Sequence, residues 1–260
     1  MKPKFSIITV NYNNLEGLKK TVESVKNQTY QKFEYIVIDG GSYDGSLEFI
    51  KDNESLLDYW VSEPDSGVYQ AMNKGIKKAS GEYLLFLNSG DHFYNDEVLE
   101  KNHKAIKDSD IIYFDLQVVE GDKKFIKTYP NTLSFSYFVE DTLPHPATFI
   151  KKEAFVKTNL YKEDFKIVSD WKFFIDAICK YNLSYKRISK PLSTFYIGGL
   201  SSNPENQIIK FKEKEDVIKG DYLLYTKDIN DILEYRKTLN NLRSSRIINL
   251  LVKLGFLNKF

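Results

Sequence analysis

Cysteine is almost absent. A single thiol, Cys179, stands among 260 residues, so no internal disulfide can form and packing alone must hold the fold, as in a reducing compartment. The thiol sits in WKFFIDAICKY, a run with helical character, and is expected to be a buried packing group rather than a nucleophile. An excess of either charge is also missing: 37 Lys and Arg stand against 36 Asp and Glu. That balance excludes a strong whole-molecule attraction to nucleic acid. No apolar run approaches the length of a membrane span, and the opening MKPKFSIITV enters a strand without an apolar signal core. The expected location is the cytoplasm. No internal repeat or low-complexity segment appears, and the length suits one large domain with a small appendage.

What the sequence does contain is a regular alternation of strand and helix from Phe5 to Phe114. FSIITV, YIVID, DYWVS, EYLLFL and DIIYF read as strands. Between them Leu15, Leu18, Val22 and Val25 recur at helical spacing behind Asn13 and Asn14, and Val68, Ala71, Met72, Ile76 and Ala79 mark another helix. Such alternation implies right-handed crossovers and an α/β fold with a mainly parallel sheet flanked by helices. After Phe114 the connections lengthen. A helix carrying Trp171, Phe174, Ile175 and Ile178 follows, then extended chain to a glycine pair, then charged helices. The expected organisation is residues 1–203 as one domain, with halves 1–114 and 115–203, and residues 204–260 as a helical extension. The last 25 residues contain no acid, and Ile247, Leu250, Leu251 and Leu254 share a face. That face is expected to dock on the core, with an anionic membrane surface as the alternative.

Four polar clusters follow predicted strands, and a parallel sheet would gather them at one edge. They are Asn11 to Asn14; Asp39 with Gly40, Gly41, Ser42 and Asp44; the stretch SEPDSGVYQAMNKG, which holds Glu63, Asp65, Tyr69, Asn73 and Lys74; and Asn88 to Asp91. The last is the most telling. An apolar strand ends abruptly in Asn, Ser, Gly and Asp, a set suited to a hard metal ion or a hydroxylated ligand. Each cluster taken alone is also an ordinary turn. Trp60 and Trp171 lie in apolar runs and read as core.

These residues resemble the inverting family-2 glycosyltransferases of GT-A fold, a Rossmann-like architecture. The resemblance spans roughly residues 4–201. FSIITVNYNN is similar to the family's opening strand, and QTYQKFEYIVIDGGSYDGS to its second strand and Asp-x-x-Ser-x-Asp-Gly turn. DSGVYQAMNKGIKKASGEYLLFLNSGD resembles the central block, HPATFIKKEAF with FKIVSDWKFFIDA the acceptor-side segment, and FYIGGLSS a feature of members that build bacterial capsule, exopolysaccharide and lipopolysaccharide O-chains.

The resemblance implies a nucleotide-sugar donor, UDP-linked by expectation, and a glycan or lipid-linked acceptor. It assigns Asp39 to the base of the nucleotide and Thr9, Val10 and Asn11 to the nucleoside pocket. Tyr12, Asp65, Asn73, Lys74, Asn88, Ser89 and Gly90 complete the donor set. Asp91 matches the last acid of the family's Asp-x-Asp motif and would hold Mg²⁺ or Mn²⁺; Asn88 and Gly90 stand where members commonly carry acids. Met72 stands where many relatives have arginine, and Lys74 would supply that charge to the phosphates. Asp170 matches the catalytic base, with helix capping by Ser169 or Asp170 as the competing account. His145, Gly198, Gly199 and Ser201 are assigned to the acceptor or diphosphate, and Asp44 to the turn or the ribose. Two other functions fit less of the sequence. A sugar nucleotidyltransferase would want basic residues after the first strand, where VNYNNLEG has none, and a non-catalytic sugar-nucleotide binder would explain the missing acids around Asp91.

Overall fold

Apolar runs covered on both faces become the strands that carry the site. The computed structural model describes residues 4–199 and 202–258. It places β1 at Phe5–Asn11, buried throughout, followed by α1 (Leu15–Lys26), β2 (Phe33–Asp39), α2 (Ser46–Asp52), β3 (Tyr59–Ser62), α3 (Val68–Lys78) and β4 (Tyr83–Phe86). Strands β3, β2, β1 and β4 lie side by side in that order and all pair in parallel. Helix α1 starts where expected, because the Asn14 side chain accepts from the free N–H of Gly17, and it buries Leu18, Thr21, Val22 and Val25.

Beyond β4 the sheet becomes mixed. The chain continues through β5 (His92–Phe93), α4 (Val98–Asn102), β6 (Ile111–Glu120), β7 (Lys123–Lys127), α5 (Phe135–Glu140), β8 (Thr148–Lys151), α6 (Lys152–Thr158), α7 (Ser169–Ile175) and β9 (Tyr185–Tyr196). Strand β8 inserts antiparallel between β4 and β6, β9 pairs β6 in parallel, and β5 closes that end of the sheet antiparallel to β9. Strands β1 to β4, β6 and β9 therefore run one way, and the sheet is mainly parallel. The segment DIIYF is only the start of β6, which extends to Glu120 and returns through β7 as a hairpin. Between Phe114 and Leu116 the register of β6 on β9 shifts, so that Asp115 faces Pro191 and Leu116 faces Ser193. A proline inside a paired strand is tolerated at such a bulge, where no ladder donor is needed.

Two expectations about the core are corrected. Cys179 is exposed, because α7 gives way to a wider π turn at Asp176–Lys180 that rotates the later residues off the buried stripe. Its thiol is nevertheless pushed up to about 11 by desolvation and by Asp176, and so stays protonated. Trp60 is only half-buried. Trp171 is core as expected, and its indole N–H donates to the Phe138 carbonyl at 2.6 Å.

The chain forms two compact units, 1–213 and 214–260. Helix α8 (Gln207–Asp221) starts in the first. In the second, α9 (Thr226–Ser244) ends at extended Ser245, and α10 (Arg246–Lys253) follows. Ile247, Leu250 and Leu254 present apolar side chains along α10. An apolar stripe shows that a face avoids water without naming what covers it. No helix among the described residues is long and apolar enough to cross a membrane.

At the bulge, Asp115 is 4% exposed and accepts from Arg187 at 2.8 Å and 3.2 Å. Removing the cation strands a buried carboxylate, so Arg187→Met should cost about 3 kcal/mol and lower the thermal midpoint by roughly 6–12 °C. The double variant Arg187→Met/Asp115→Leu should recover most of the loss. An unchanged midpoint in the single variant would show that the pair does not hold the bulge.

Candidate active site

Parallel register sets Asn11, the last residue of β1, beside Asp39, the last of β2. The Asn11 amide donates to Asp39 Oδ1 at 2.7 Å, and its own oxygen accepts from the Ser89 hydroxyl at 2.7 Å. Three strand ends are thereby tied together. The Asp39 carboxylate also accepts from the Ser42 hydroxyl (2.6 Å), the Ser42 N–H (2.9 Å) and the Ser62 hydroxyl (2.6 Å). Burial alone would raise this carboxyl, but the hydrogen bonds from Ser42, Ser62 and Asn11 outweigh it and hold the group below its ordinary value. Asp44 supports the neighbouring turns, accepting from the Leu15 N–H at 2.8 Å and the Ser46 hydroxyl at 2.6 Å.

The turn Asn88–Asp91 is held from α1. The Thr21 hydroxyl donates to the Asp91 carbonyl at 2.7 Å and accepts from the Gly90 N–H at 3.0 Å. Gly90 has φ +103°, a conformation that a side chain would strain. The turn leaves two oxygen donors uncompensated. The Asn88 amide oxygen is buried with no hydrogen-bond partner, and desolvation pushes the Asp91 carboxyl up to about 8. A hard divalent cation would relieve both. Mg²⁺ and Mn²⁺ take oxygen donors and are commonly held by one or two protein groups plus substrate phosphate. The residues therefore fit such an ion, although no group of three His, Cys, Asp or Glu side chains that could hold a metal occurs among the described residues.

Both features open on one cleft of about 1480 Å³. At one end Tyr12, Gly40 and Asp65 line it. A Cβ on Gly40 would meet Asp65 Oδ2 at 2.8 Å and the Tyr12 ring at 3.2 Å, so the glycine lets those side chains close on the strand end. Desolvation raises the Asp65 carboxyl, against the Gly67 N–H and Lys74, which lower it. The opposite wall is the face of β7, β6 and β9, where Phe125 pairs with Val118 and Val118 with Phe195. Leu143, Pro144 and Pro146 continue this apolar surface.

Asp170 lines the cleft in the first turn of α7. It does not cap the helix: Val168 holds the cap position, and no side chain caps there. The Tyr69 hydroxyl, from the first turn of α3, lies 2.9 Å from Asp170 Oδ1 and 2.6 Å from the Ile167 carbonyl. His145 also lines the cleft, stacked on Phe86 with centroids 4.8 Å apart and with Nε2 2.8 Å from the Tyr161 hydroxyl. Burial lowers its pKa, opposed by the negative charge of Asp170, so the ring is neutral at pH 7.

Of the residues named from sequence, Val10, Asn11, Tyr12, Asp65, the run Asn88–Asp91, His145, Asp170, Gly198 and Gly199 line this cleft. Thr9, Asp39, Asn73 and Lys74 do not. Thr9 is buried and donates to the Leu87 carbonyl at 2.8 Å; Asn73 is buried and donates to the Tyr161 carbonyl at 2.8 Å. The Lys74 ammonium lies 2.8 Å from Glu63. Asp39 is fully buried and shapes the pocket from beneath. Ser201 lies outside the described residues. Sequence reasoning missed Thr21, whose signal was a hydroxyl inside the apolar stripe of α1. It also missed the β6–β7–β9 wall, which belongs to no local motif.

Comparison with known proteins agrees with this architecture. The model of the family described as Glycosyl transferase family 2 matches residues 6–164. An uncharacterized glycosyltransferase of Mycobacterium tuberculosis is 36% identical over 180 residues, 67% of this chain and 69% of that one. A PGL/p-HBAD biosynthesis glycosyltransferase of Mycobacterium bovis is 28% identical over 210 residues, covering 77% and 80%. Among solved structures, S. aureus TarS 1–349 in complex with UDP gives a TM-score of 0.60 at 20% identity, covering 83% of this chain and 64% of that one. Against another TarS structure the match takes in 40% of that chain. Mannosyltransferase PcManGT from Pyrobaculum calidifontis, in complex with GDP-Man and Mn²⁺, gives 0.56 at 14% identity, covering 98% and 80%. The shared fold is the GT-A type.

The raised Asp91 carboxyl makes a signed prediction. The folded state holds this proton up to about pH 8, whereas the unfolded chain releases it near pH 4. Stability therefore falls as pH rises through that window. Asp91→Asn should unfold at a higher temperature than wild type at pH 8, with the difference shrinking towards pH 5. Mn²⁺ should raise the wild-type midpoint at pH 8 and leave the variant unmoved. Parallel pH curves for the two proteins would show that Asp91 carries no such penalty.

Proposed function

The chain belongs to glycosyl transferase family 2, and from that premise we propose that it moves a sugar from a nucleoside diphosphate donor, by preference a UDP-sugar, to a hydroxyl of a glycan or lipid-linked saccharide, with inversion at the transferred carbon. One observation carries the proposal: a carboxylate steadied by a tyrosine hydroxyl, Asp170, and a cation-seeking oxygen pair, Asn88 and Asp91, line the same cleft. TarS has been solved with UDP and with UDP-GlcNAc, and PcManGT with GDP-Man and Mn²⁺. Those ligands make a nucleotide-sugar the natural occupant here. The M. bovis relative is a biosynthetic glycosyltransferase for PGL/p-HBAD, in keeping with a product among bacterial surface glycans.

In this reading Tyr12, Asp65 and the chain at Gly40 receive the nucleoside, while Val10 and Asn11 form the floor. Asn88 and Asp91 would hold a divalent ion, which when bound stabilises negative charge on the departing diphosphate. Asp170 takes the proton of the acceptor hydroxyl as its oxygen forms the new bond to the anomeric carbon and the bond to the diphosphate breaks. One displacement of this kind inverts the centre and needs no covalent enzyme intermediate. His145, neutral and held by Tyr161, offers a hydrogen bond beside the acceptor without adding charge. Gly198 and Gly199 present backbone to the same cleft.

Thermal unfolding against UDP, GDP, CMP and dTDP, with and without Mn²⁺, tests the donor class. A ligand at a hundred times its dissociation constant contributes about 2.7 kcal/mol, and the expected result is a Mn²⁺-dependent rise with UDP that is absent in Asp91→Ala. Asp170→Asn should bind the same nucleotide and lose transfer by roughly 10²–10⁴-fold. Normal turnover in that variant would remove Asp170 as the base. Exchange of pyrophosphate into the donor would instead mark a nucleotidyltransferase, and nucleotide binding without UDP release a non-catalytic binder.

We also place α10 on an anionic membrane surface, where a lipid-linked acceptor would be met. Ile247, Leu250, Leu254 and Phe256 are exposed, and the chain from Arg236 to the end holds basic residues and no acid. The full chain should sediment with phosphatidylglycerol vesicles and not with phosphatidylcholine vesicles, and Leu250→Asp/Leu254→Asp should stay in solution. Equal recovery with both lipids, or with neither, would overturn this.

A further inference from the structure

The segment that leads into α7 decides where Asp170 stands, and it is gripped from two sides. A helix start leaves backbone N–H groups without intrahelical partners, and α7 has no side-chain cap of its own. Glu213, from α8, holds the chain at and just before that start. Its Oε1 accepts from the Lys166 N–H at 2.7 Å, and its Oε2 from the Ile167 and Val168 N–H groups at 3.1 Å and 3.2 Å. On the carbonyl side of the same residue, the Tyr69 hydroxyl lies 2.6 Å from the Ile167 oxygen and 2.9 Å from Asp170 Oδ1.

We infer that Glu213 and Tyr69 form a clamp that positions Asp170, and that the first part of α8 thereby belongs to the active site. The inference rests on the reading of Asp170 as the base. Glu213 lies outside the stretch matched by the family model, which ends at residue 164. Helix geometry supports it independently: residues three apart share a helix face, and Lys210 and Gln207, three and six residues before Glu213, line the cleft. The physical need is plain. A base that swings freely spends little time in line with an acceptor hydroxyl, and small misplacements cost rate steeply. The single Tyr69 hydroxyl hydrogen, shared between the Ile167 carbonyl and Oδ1, restrains the carboxylate's rotation and leaves Oδ2 to take the proton. Tyr69 stays a donor throughout, because burial and the neighbouring Asp170 charge push its own ionisation far above neutrality. Neither residue touches the reacting atoms in this scheme; both act through Asp170.

Two readouts test the clamp, the first its contacts and the second its action through Asp170. The first is hydrogen exchange of the full-length protein over residues 164–171 in wild type, Tyr69→Phe and Glu213→Gln. Exchange in that segment should quicken about tenfold in each variant, the effect of losing roughly 1.4 kcal/mol of local hydrogen bonding. The second is UDP release from UDP-glucose and UDP-N-acetylglucosamine with Mn²⁺, water serving as acceptor. Each variant should lower kcat about tenfold with KM for the donor unchanged. Placed on an Asp170→Asn background, neither should cost anything further, since each acts through the group already removed. Equal losses on both backgrounds, a raised KM, or unchanged exchange would overturn the clamp. Should Asp170→Asn release UDP as fast as wild type, the base reading fails and the clamp with it. A slow Asp170→Asn with additive losses overturns the clamp alone. If neither donor is hydrolysed, the exchange measurement decides.

Discussion

A carboxylate with no access to water organises the strand ends of this protein. Asp39 is fully buried, and an uncompensated charge there would cost several kcal/mol. It is tolerated because four hydrogen-bond donors, from Asn11, Ser42 and Ser62, converge on its two oxygens. Meeting that demand dictates much else. Asn11 must end β1 beside β2, the Gly40–Gly41 turn must fold back to present the Ser42 N–H, and β3 must deliver Ser62. With Asn11 also receiving Ser89, the same constraint fixes the loop after β4. Strand ends that would otherwise fray become a rigid floor. Because the carboxyl is held below its ordinary value, the stability it contributes is present above the usual carboxylate range and lost as acid brings the pH down through its lowered pKa.

The contrast with Asp91 is instructive, because both are aspartates at strand ends of one sheet. Asp39 is compensated within the protein, and Asp91 is not. Thr21 satisfies the backbone of the Asn88–Asp91 turn and leaves the side chains unanswered. A structural turn would gain nothing by burying an amide oxygen without a partner and a carboxylate raised to about 8. The physical difference between the two aspartates is thus one of compensation, met within the protein at Asp39 and unmet at Asp91.

The same difference explains what could be read in the sequence. Alternating apolar runs and caps showed β1 to β4 with α1 and α3, since each element is set by local periodicity. The polar clusters were legible because parallel pairing sends every strand end to one edge. Which aspartate faces the cleft was not legible: Asp39 and Asp65 look alike in a string of letters, and only the placement of Ser42 and Ser62 shows Asp39 fully occupied. The surroundings of Lys74 were hidden for a related reason, since its helix position gave no hint that Glu63 would stand beside it. Strand β8 was missed because TFIK is too short for a period and owes its place to β4 and β6 on either side. Glu213 carries no motif at all, and its role depends on a contact 45 residues or more from the segment it holds.

Helix α3 joins the two halves of this arrangement. Its first turn follows Asp65 and Gly67 at the donor end and places Tyr69 on Asp170. One turn further on, Asn73 donates to the Tyr161 carbonyl and to Glu163, and accepts from the Tyr161 N–H. Tyr161 in turn holds His145. In the proposed reading, one rigid element touches both the donor pocket and the groups around Asp170. Helices do not flex along their axes as loops do, and the aromatic cluster of Tyr69, Tyr161, Phe86 and Phe155 leaves little room for independent adjustment. In the proposed reading, a donor that settled Asp65 and the start of α3 would bear on Asp170 through covalent and hydrogen-bonded paths only a few residues long. The position of Asp170 is thus held by contacts from α3, and the later part of the chain, poor in motifs, is read through the helix that reaches it.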